Sequence, residues 1–241
     1  MKIGVITDIH NNVVALKAVL KKFEAEEVDG IICCGDMIGI GPYPEETVQM
    51  MRNIPNLLAC VVGNHERYLT EGTEGMTLKQ QMSDGEKAQH KWEHTQLSAE
   101  SSAFLHSFKY EKQLEIDGKI IHIIHYAMNE ANNYLHIRRN PELNEIETAF
   151  ENIKADVILY GHVHNKSILK GSKYFINPGS VGCPGKDLTI ARAGILTIDK
   201  EIDFSEIAVE YDVAKVIEKI DDLGYPDSHV VKRIFYGIEE A

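Results

Sequence analysis

An α/β fold is predicted by three features of the chain. Short apolar runs rich in Ile and Val alternate with stretches whose apolar residues recur at helical spacing. The runs are apolar at consecutive positions rather than at every second one, the pattern of strands covered on both faces. The composition, 44% hydrophobic and 26% charged, is that of an ordinary globular protein and excludes collagen-like and disordered chains.

The first strand spans Lys2 to Thr7 and runs into Asp8. Asn12 to Glu27 follows as a helix, with Val13, Leu16, Val19, Leu20 and Phe23 on one face. Gly30 to Gly35 is the second strand, and a Gly/Pro-rich loop leads from it to a helix at Pro44 to Arg52. Leu57 to Gly63 is the third, which makes the N-terminal part βαβαβ with a largely parallel sheet. The polar stretch from Glu71 to Glu111 holds the single tryptophan, Trp92, and reads as a small helical cap at about 71–110 with helices at Lys87 to Trp92 and Ala99 to Phe108. Strands at Lys119 to Ile124 and Asp156 to Tyr160 bracket a helix at Asn144 to Asn152. Short strands at Lys173 to Ile176, Thr189 to Thr197 and Glu206 to Tyr211 precede a last helix at Val213 to Leu223. With no linker, repeat or low-complexity tract, the 241 residues read as one domain, 1–241, carrying that cap.

The net charge of −12 opposes binding to polymeric nucleic acid or to an anionic membrane, so an anionic partner needs a local positive centre. Cys33, Cys34, Cys60 and Cys183 show neither C-x-x-C pairing nor the spacing of a secreted scaffold, and read as reduced thiols. No window approaches the roughly 20 apolar residues of a membrane helix, and the start MKIGVITDIH does not resemble a cleavable leader, so a cytoplasmic protein is expected.

A metal-competent side chain stands at the carboxyl end of each of the first five strands: Asp8 and His10, Asp36, Asn64, His125, then His162 with His164. In an open α/β sheet the crevice beyond these ends is where ligands bind. A lone histidine is ordinarily a cap or surface residue, but seven donors at strand ends, each beside a sharp turn, form a pattern. Aspartate, asparagine and histidine without thiolate suit Mn2+, Fe, Co2+ or Zn2+ better than Mg2+ or Ca2+. Seven donors exceed one tetrahedral ion and suit two ions about 3.5 to 4 Å apart that share a carboxylate, with a bridging hydroxide as nucleophile. Two divalent cations outweigh the charge of Asp8, Asp36 and one hydroxide, which lets an acidic protein hold a phosphate.

The blocks Asp8-Ile9-His10, Gly35-Asp36, Gly63-Asn64-His65-Glu66, His125 and Gly161-His162-Val163-His164 resemble the five blocks of the calcineurin-like metallophosphoesterases. Gly39 to Pro42 and Asn177 to Gly182 resemble the compact bacterial and archaeal phosphodiesterase-like branch. The resemblance implies a four-layer αββα sandwich of two mixed sheets. It implies Asp8, His10 and His164 on one metal, Asn64, His125 and His162 on the other, and Asp36 bridging. It also implies that catalytic His65 hydrogen-bonds the phosphoryl group or protonates the leaving group. Two divalent ions are expected, Mn2+ foremost, with Fe, Zn2+, Co2+ or Ni2+ as alternatives.

Departures narrow the activity. Where the Ser/Thr protein phosphatases carry an acid that pairs with the catalytic histidine, this chain has Gly39, and where they carry an Arg before the third block it has Val62. Tyr126-Ala127 replaces the Gly-Ser common after the fourth block. The expected activity is therefore hydrolysis of a phosphodiester or a nucleotide such as a dinucleoside polyphosphate. A Ser/Thr protein phosphatase or phosphomonoesterase is the alternative within the class; a non-catalytic binding scaffold and a single-metal hydrolase lie outside it. The partner is a small phosphorylated substrate. Arg67, Arg138, Arg139 and Lys166 are candidate anion contacts, and Tyr43, Tyr126 and Tyr134 could stack on a base. Alternation points His122 away from His125, while His90, His94 and His106 read as surface or cap packing.

Overall fold

In the computed structural model, residues 1–72, 82–136, 138–183, 185 and 187–238 are described; part of the expected cap, 73–81, lies outside them. Ten strands form two mixed five-stranded sheets. The first sheet, in spatial order, holds β10 (Ile202–Glu210), β9 (Ile190–Ile198), β1 (Lys2–Ile6), β2 (Gly30–Cys33) and β3 (Leu57–Cys60). Its β1, β2 and β3 are parallel, whereas the β9–β10 hairpin adds antiparallel strands beside β1. The second sheet runs β4 (Glu111–Ile116), β5 (Lys119–Ile124), β6 (Val157–Leu159), β8 (Tyr174–Asn177) and β7 (Ser167–Lys170). There β5, β6 and β8 are parallel and the two edges antiparallel.

Alternation along each strand sorts its side chains into two cores, which makes the four layers. Ile3, Val5, Ile32, Ile121, Ile123, Val157 and Leu159 fill the space between the sheets. On the outer face of the first sheet, Ile6 and Cys33 meet helix α1 (Val13–Ala25), whose Leu16, Val19 and Phe23 are buried, and α2 (Pro44–Arg52). On the outer face of the second, Ile124, Ile158 and Phe175 pack on Ile146 of α6 (Leu143–Ala149) and on Phe150. Each such side chain contributes about 1.5–3 kcal/mol relative to exposure. His122 falls on that outer face and bonds Glu111 at 3.1 Å, while His125 continues the inward row of Ile121 and Ile123 past the end of β5.

Helix α4 (Asp84–Gln96) and α5 (Ala99–His106) pack against α2 and against α3 (Asn64–Thr70). Helix α7 (Val213–Asp222) is followed by α8 (Ser228–Tyr236), which buries Val231 and Tyr236 and ends at Gly237. Strands β4 and β7 and helices α3 and α8 were not expected from the sequence pattern. The first two are short edge strands without a fully buried side chain, which blunts the apolar signal. No helix among the described residues is long and apolar enough to cross a membrane.

Candidate metal centre

The loops at the carboxyl ends of β1, β2, β3, β5 and β6 meet at one rim. Asp8, His10, Asp36, His162 and His164 all sit in the left-handed backbone region, with φ of 52°, 49°, 51°, 72° and 48°. Such a turn costs a non-glycine residue about 1 kcal/mol or more and brings each side chain back over the sheet end. Neighbouring groups hold the strained loops. Thr7 Oγ1 donates to Asp8 Oδ2 at 2.8 Å, Ser180 Oγ donates to the Asp8 carbonyl at 2.7 Å, and the His162 N–H reaches Asp8 Oδ2 at 3.0 Å.

The seven expected donors fall into two adjoining groups. His10 Nε2 lies 2.9 Å from His164 Nε2 and 3.8 Å from Asp8 Oδ1, with His164 Nε2 3.6 Å from the same carboxylate oxygen. His125 Nε2 lies 3.3 Å from Asn64 Oδ1 and 3.2 Å from His162 Nδ1. Asp36 Oδ2 stands between the groups, 3.2 Å from His125 Nε2 and 4.0 Å from His10 Nε2.

This donor set fits cations. His10 Nδ1 donates to the Ile38 carbonyl at 3.2 Å and His125 Nδ1 to the Cys34 carbonyl at 2.8 Å, which leaves both Nε2 atoms for the centre. A lone pair of His10 then faces the carboxylates of Asp8 and Asp36, an arrangement that repels unless positive charge stands between them. The charges respond accordingly. Burial opposes the charge of His125, but the Asp36 carboxylate overrides it and pushes its pKa up to about 9, so a proton there does what a cation would. Burial also opposes charge on Asp36, yet His125 and His65 hold its carboxyl well below the usual range. Burial raises Asp8, and burial together with His125 brings His162 down to about 3.

His65 lies beside both groups: its ring meets His10 edge-on at 5.0 Å, and its N–H donates to Asp36 Oδ1 at 2.9 Å. Burial lowers its pKa to about 4. Its Nδ1 is buried with no hydrogen-bond partner among the described residues. Gly39 covers that nitrogen so closely that a Cβ there would stand 2.1 Å from it.

Glu66 organises the centre in a way its place at the end of the third block did not disclose. Fully buried, it takes the N–H groups of Gly63 (2.7 Å) and Asp36 (2.9 Å) on Oε2, and those of Met37 (2.8 Å) and Ile38 (3.2 Å) on Oε1. One carboxylate thus ties the Asp36 loop to the start of α3. Burial and Asp36 push its pKa up to about 7 against those four donors. Gly63 permits the approach, since a Cβ there would stand 2.1 Å from Asp36 Oδ1.

The cap histidines divide between packing and surface, His106 being exposed. His90 packs: it is buried, and its ring lies 5.1 Å from that of His65, with Tyr68 edge-on to both. Glu93, also buried, bonds His90 Nδ1 at 3.3 Å and accepts from the Gly39 N–H and from Asn11 Nδ2. The signal for this pair was present: positions 90 and 93 share one face of a helix.

Most of the proposed anion contacts are engaged elsewhere. Lys166 pairs with Glu206, Arg138 with Glu145, and Arg67 with Glu71 and the Asn132 carbonyl. Arg139 has no ion-pair partner among the described residues and lines a cavity of about 410 Å³ beside the centre, with His162, His164, Val163, Ile234 and Phe235. Tyr134 stacks on the His162 ring at 4.8 Å, Tyr126 packs in the core, and the Tyr43 hydroxyl bonds the Lys215 carbonyl.

Comparison with known proteins agrees with this geometry. Residues 1–201 match the model of the calcineurin-like phosphoesterase superfamily domain. An uncharacterized protein of Methanocaldococcus jannaschii is 31% identical over 98% of both chains. Among solved structures, a metallophosphoesterase from Sphaerobacter thermophilus is similar over 99% of both chains, with a TM-score of 0.73 and 26% identity. A hypothetical protein from Pyrococcus horikoshii shares the fold with a TM-score of 0.83 over 99% of both chains at 20% identity. With the sandwich, the strand-end donors and the family match in agreement, the chain belongs to the calcineurin-like phosphoesterase superfamily.

Proposed function

We propose that this protein is a dinuclear metal-dependent phosphoesterase that hydrolyses a phosphodiester or a nucleotide such as a dinucleoside polyphosphate. The observation that carries the reading is the position of Asp36 Oδ2 between two groups of donors, the place of a bridging ligand. Asp8, His10 and His164 would hold one ion, and Asn64, His125 and His162 the other, with Mn2+ the preferred metal. Bound there, two divalent cations would supply Lewis acidity for the phosphoryl oxygens and acidify the attacking water.

The residues of the chain do the rest. Glu66 fixes the Asp36 loop, and the Ile38 and Cys34 carbonyls fix the tautomers of His10 and His125. With Nδ1 buried under Gly39, His65 has Nε2 to offer the phosphoryl group or the leaving oxygen. The cavity beside His162 and His164, apolar along Val163, Ile234 and Phe235 and cationic at Arg139, suits an organic ester substituent bearing a further negative charge. That second substituent favours a diester or nucleotide over a phosphomonoester. Gly39 and Val62 argue against a protein phosphatase. The net charge of −12 argues against polymeric nucleic acid and membrane partners, and the four free thiols favour a cytoplasmic setting.

The test is metal content together with hydrolysis of bis(4-nitrophenyl) phosphate in Mn2+. The wild type should bind two ions and turn over. Asp36→Asn should lose metal and activity, and His65→Ala should keep metal and lose turnover. An Asp36→Asn protein that binds two ions and hydrolyses the diester normally would overturn the assignment. A folded, metal-loaded wild type inert toward diesters, nucleotides and monoesters would favour a scaffold.

A further inference from the structure

The sequence leaves His65 without the acid that pairs with the corresponding histidine in the protein phosphatases, because position 39 is glycine. The structure shows another carboxylate at that same backbone position. Glu93, 1% exposed, comes from α4 of the cap and accepts the N–H of Gly39 itself. Its second partner is Asn11 Nδ2, next in sequence to the donor His10. Its third is His90 Nδ1, at 3.3 Å on Oε2.

These contacts bear on His65 from two sides. Gly39 lies against its Nδ1 edge, so tightly that no side chain fits between them. The His90 ring packs on it at 5.1 Å with a tilt of 41°. Both flanking groups are hydrogen-bonded to Glu93. A carboxylate buried among three donors is an expensive feature whose loss leaves those donors unpaired, and no other residue ties the cap to both the His10 loop and the Gly39 loop among the bonds described.

We propose that Glu93 and His90 are the positioning residues for His65: in place of an acid paired directly with the ring, the cap holds the groups that pack around it. The role follows from the shape of the contact. Glu93 fixes the loop that lies against Nδ1 of the His65 ring and the imidazole that packs on that ring, which leaves Nε2 as the ring nitrogen to offer. The proposal rests on the phosphoesterase reading only for its kinetic arm.

A leaving-group comparison separates positioning from general damage. Expulsion of 4-nitrophenolate needs little proton donation, whereas expulsion of an alkoxide needs it strongly. Hydrolysis of 4-nitrophenyl methyl phosphate and of dimethyl phosphate should be measured in Mn2+ for the wild type, Glu93→Gln, His90→Ala and His65→Ala. Gln at 93 keeps an oxygen for the Gly39 N–H while removing the charge. The ratio of alkoxide to phenolate rates should fall about tenfold in Glu93→Gln and in His90→Ala, in the same direction as in His65→Ala, with metal content unchanged. Glu93→Gln should add little in a His65→Ala background, because residues acting through one group are not additive.

The second arm needs no turnover. In histidine-labelled protein, the ring signal of His65, assigned from His65→Ala, should shift or broaden in Glu93→Gln and in His90→Ala. An unchanged rate ratio and an unchanged His65 signal in folded variants would overturn the proposal, as would loss of metal with equal loss on both esters. A wild type inactive on every ester whose His65 signal still responds to Glu93→Gln would sink the phosphoesterase reading and leave the positioning intact.

Discussion

Replacing Glu66 by Gln tests whether one buried carboxylate holds the centre together. Its two oxygens accept four backbone N–H groups, two each, and none of the side chain is exposed. Whichever way the amide of Gln turns, an NH2 replaces one oxygen, and two N–H groups are left facing a donor. A buried donor without its partner costs about 1–3 kcal/mol, so Glu66→Gln should destabilise the fold by about 2–6 kcal/mol. For a chain of this size that lowers Tm by about 2–4 °C per kcal/mol, or roughly 10 °C in the middle of the range. Calorimetry of both proteins in excess chelator keeps metal linkage out of the comparison. A buffer near pH 8 keeps the carboxyl ionised, above the pKa of about 7 to which burial and Asp36 push it. A Tm within about 2 °C of the wild type would refute the clamp.

Gly39→Ala should fold and bind metal yet lose about tenfold or more in turnover, because a methyl 2.1 Å from His65 Nδ1, at a φ of +91°, displaces the ring; kinetics alongside metal analysis checks this. Arg139→Ala should raise KM for a dinucleotide substrate about tenfold at low salt, with the difference shrinking as salt rises. Burial opposes charge on Glu45, but the Ser98 N–H at 2.9 Å holds its carboxyl below the usual range, so its anchoring of α5 is present above the unfolded carboxylate pKa and is lost as pH falls through the folded one. The protection factor of the Ser98 amide, its exchange relative to the intrinsic rate at each pH, should therefore fall on acidification in the wild type and respond less in Glu45→Gln.

The candidate donors were legible because each stands directly after an apolar run, where the polypeptide must turn and where α/β sheets bind ligands. The parallel centre of both sheets was legible for a related reason: strands buried on two faces are apolar at every position, as Ile31, Ile32 and Cys33 are. The second sheet as a separate layer followed from the resemblance, since periodicity does not tell which strands share a sheet. Strand β4, Glu111–Ile116, escaped because it is an edge whose polar side chains face solvent. Helix α3 escaped because only Glu66 of its seven residues is buried, and that residue is charged. Glu66 and Glu93 were hard to place for one physical reason. A buried carboxylate is defined by the backbone N–H groups that meet it, and apart from that of Gly63 those come from segments 28 to 54 residues away in the sequence.

The five left-handed donors bring durability and chemistry into opposition. At Asp8, His10, Asp36, His162 and His164, glycine would adopt the observed turn without a steric penalty. Each such exchange would relieve the backbone and erase a donor, at Asp8 and Asp36 together with the hydrogen bonds their carboxylates accept, so relaxed selection would drift the histidine positions toward glycine first. If the proposed function holds, relatives that keep the sandwich without the activity should carry that drift, and glycine at these places would mark a lineage released from holding metal.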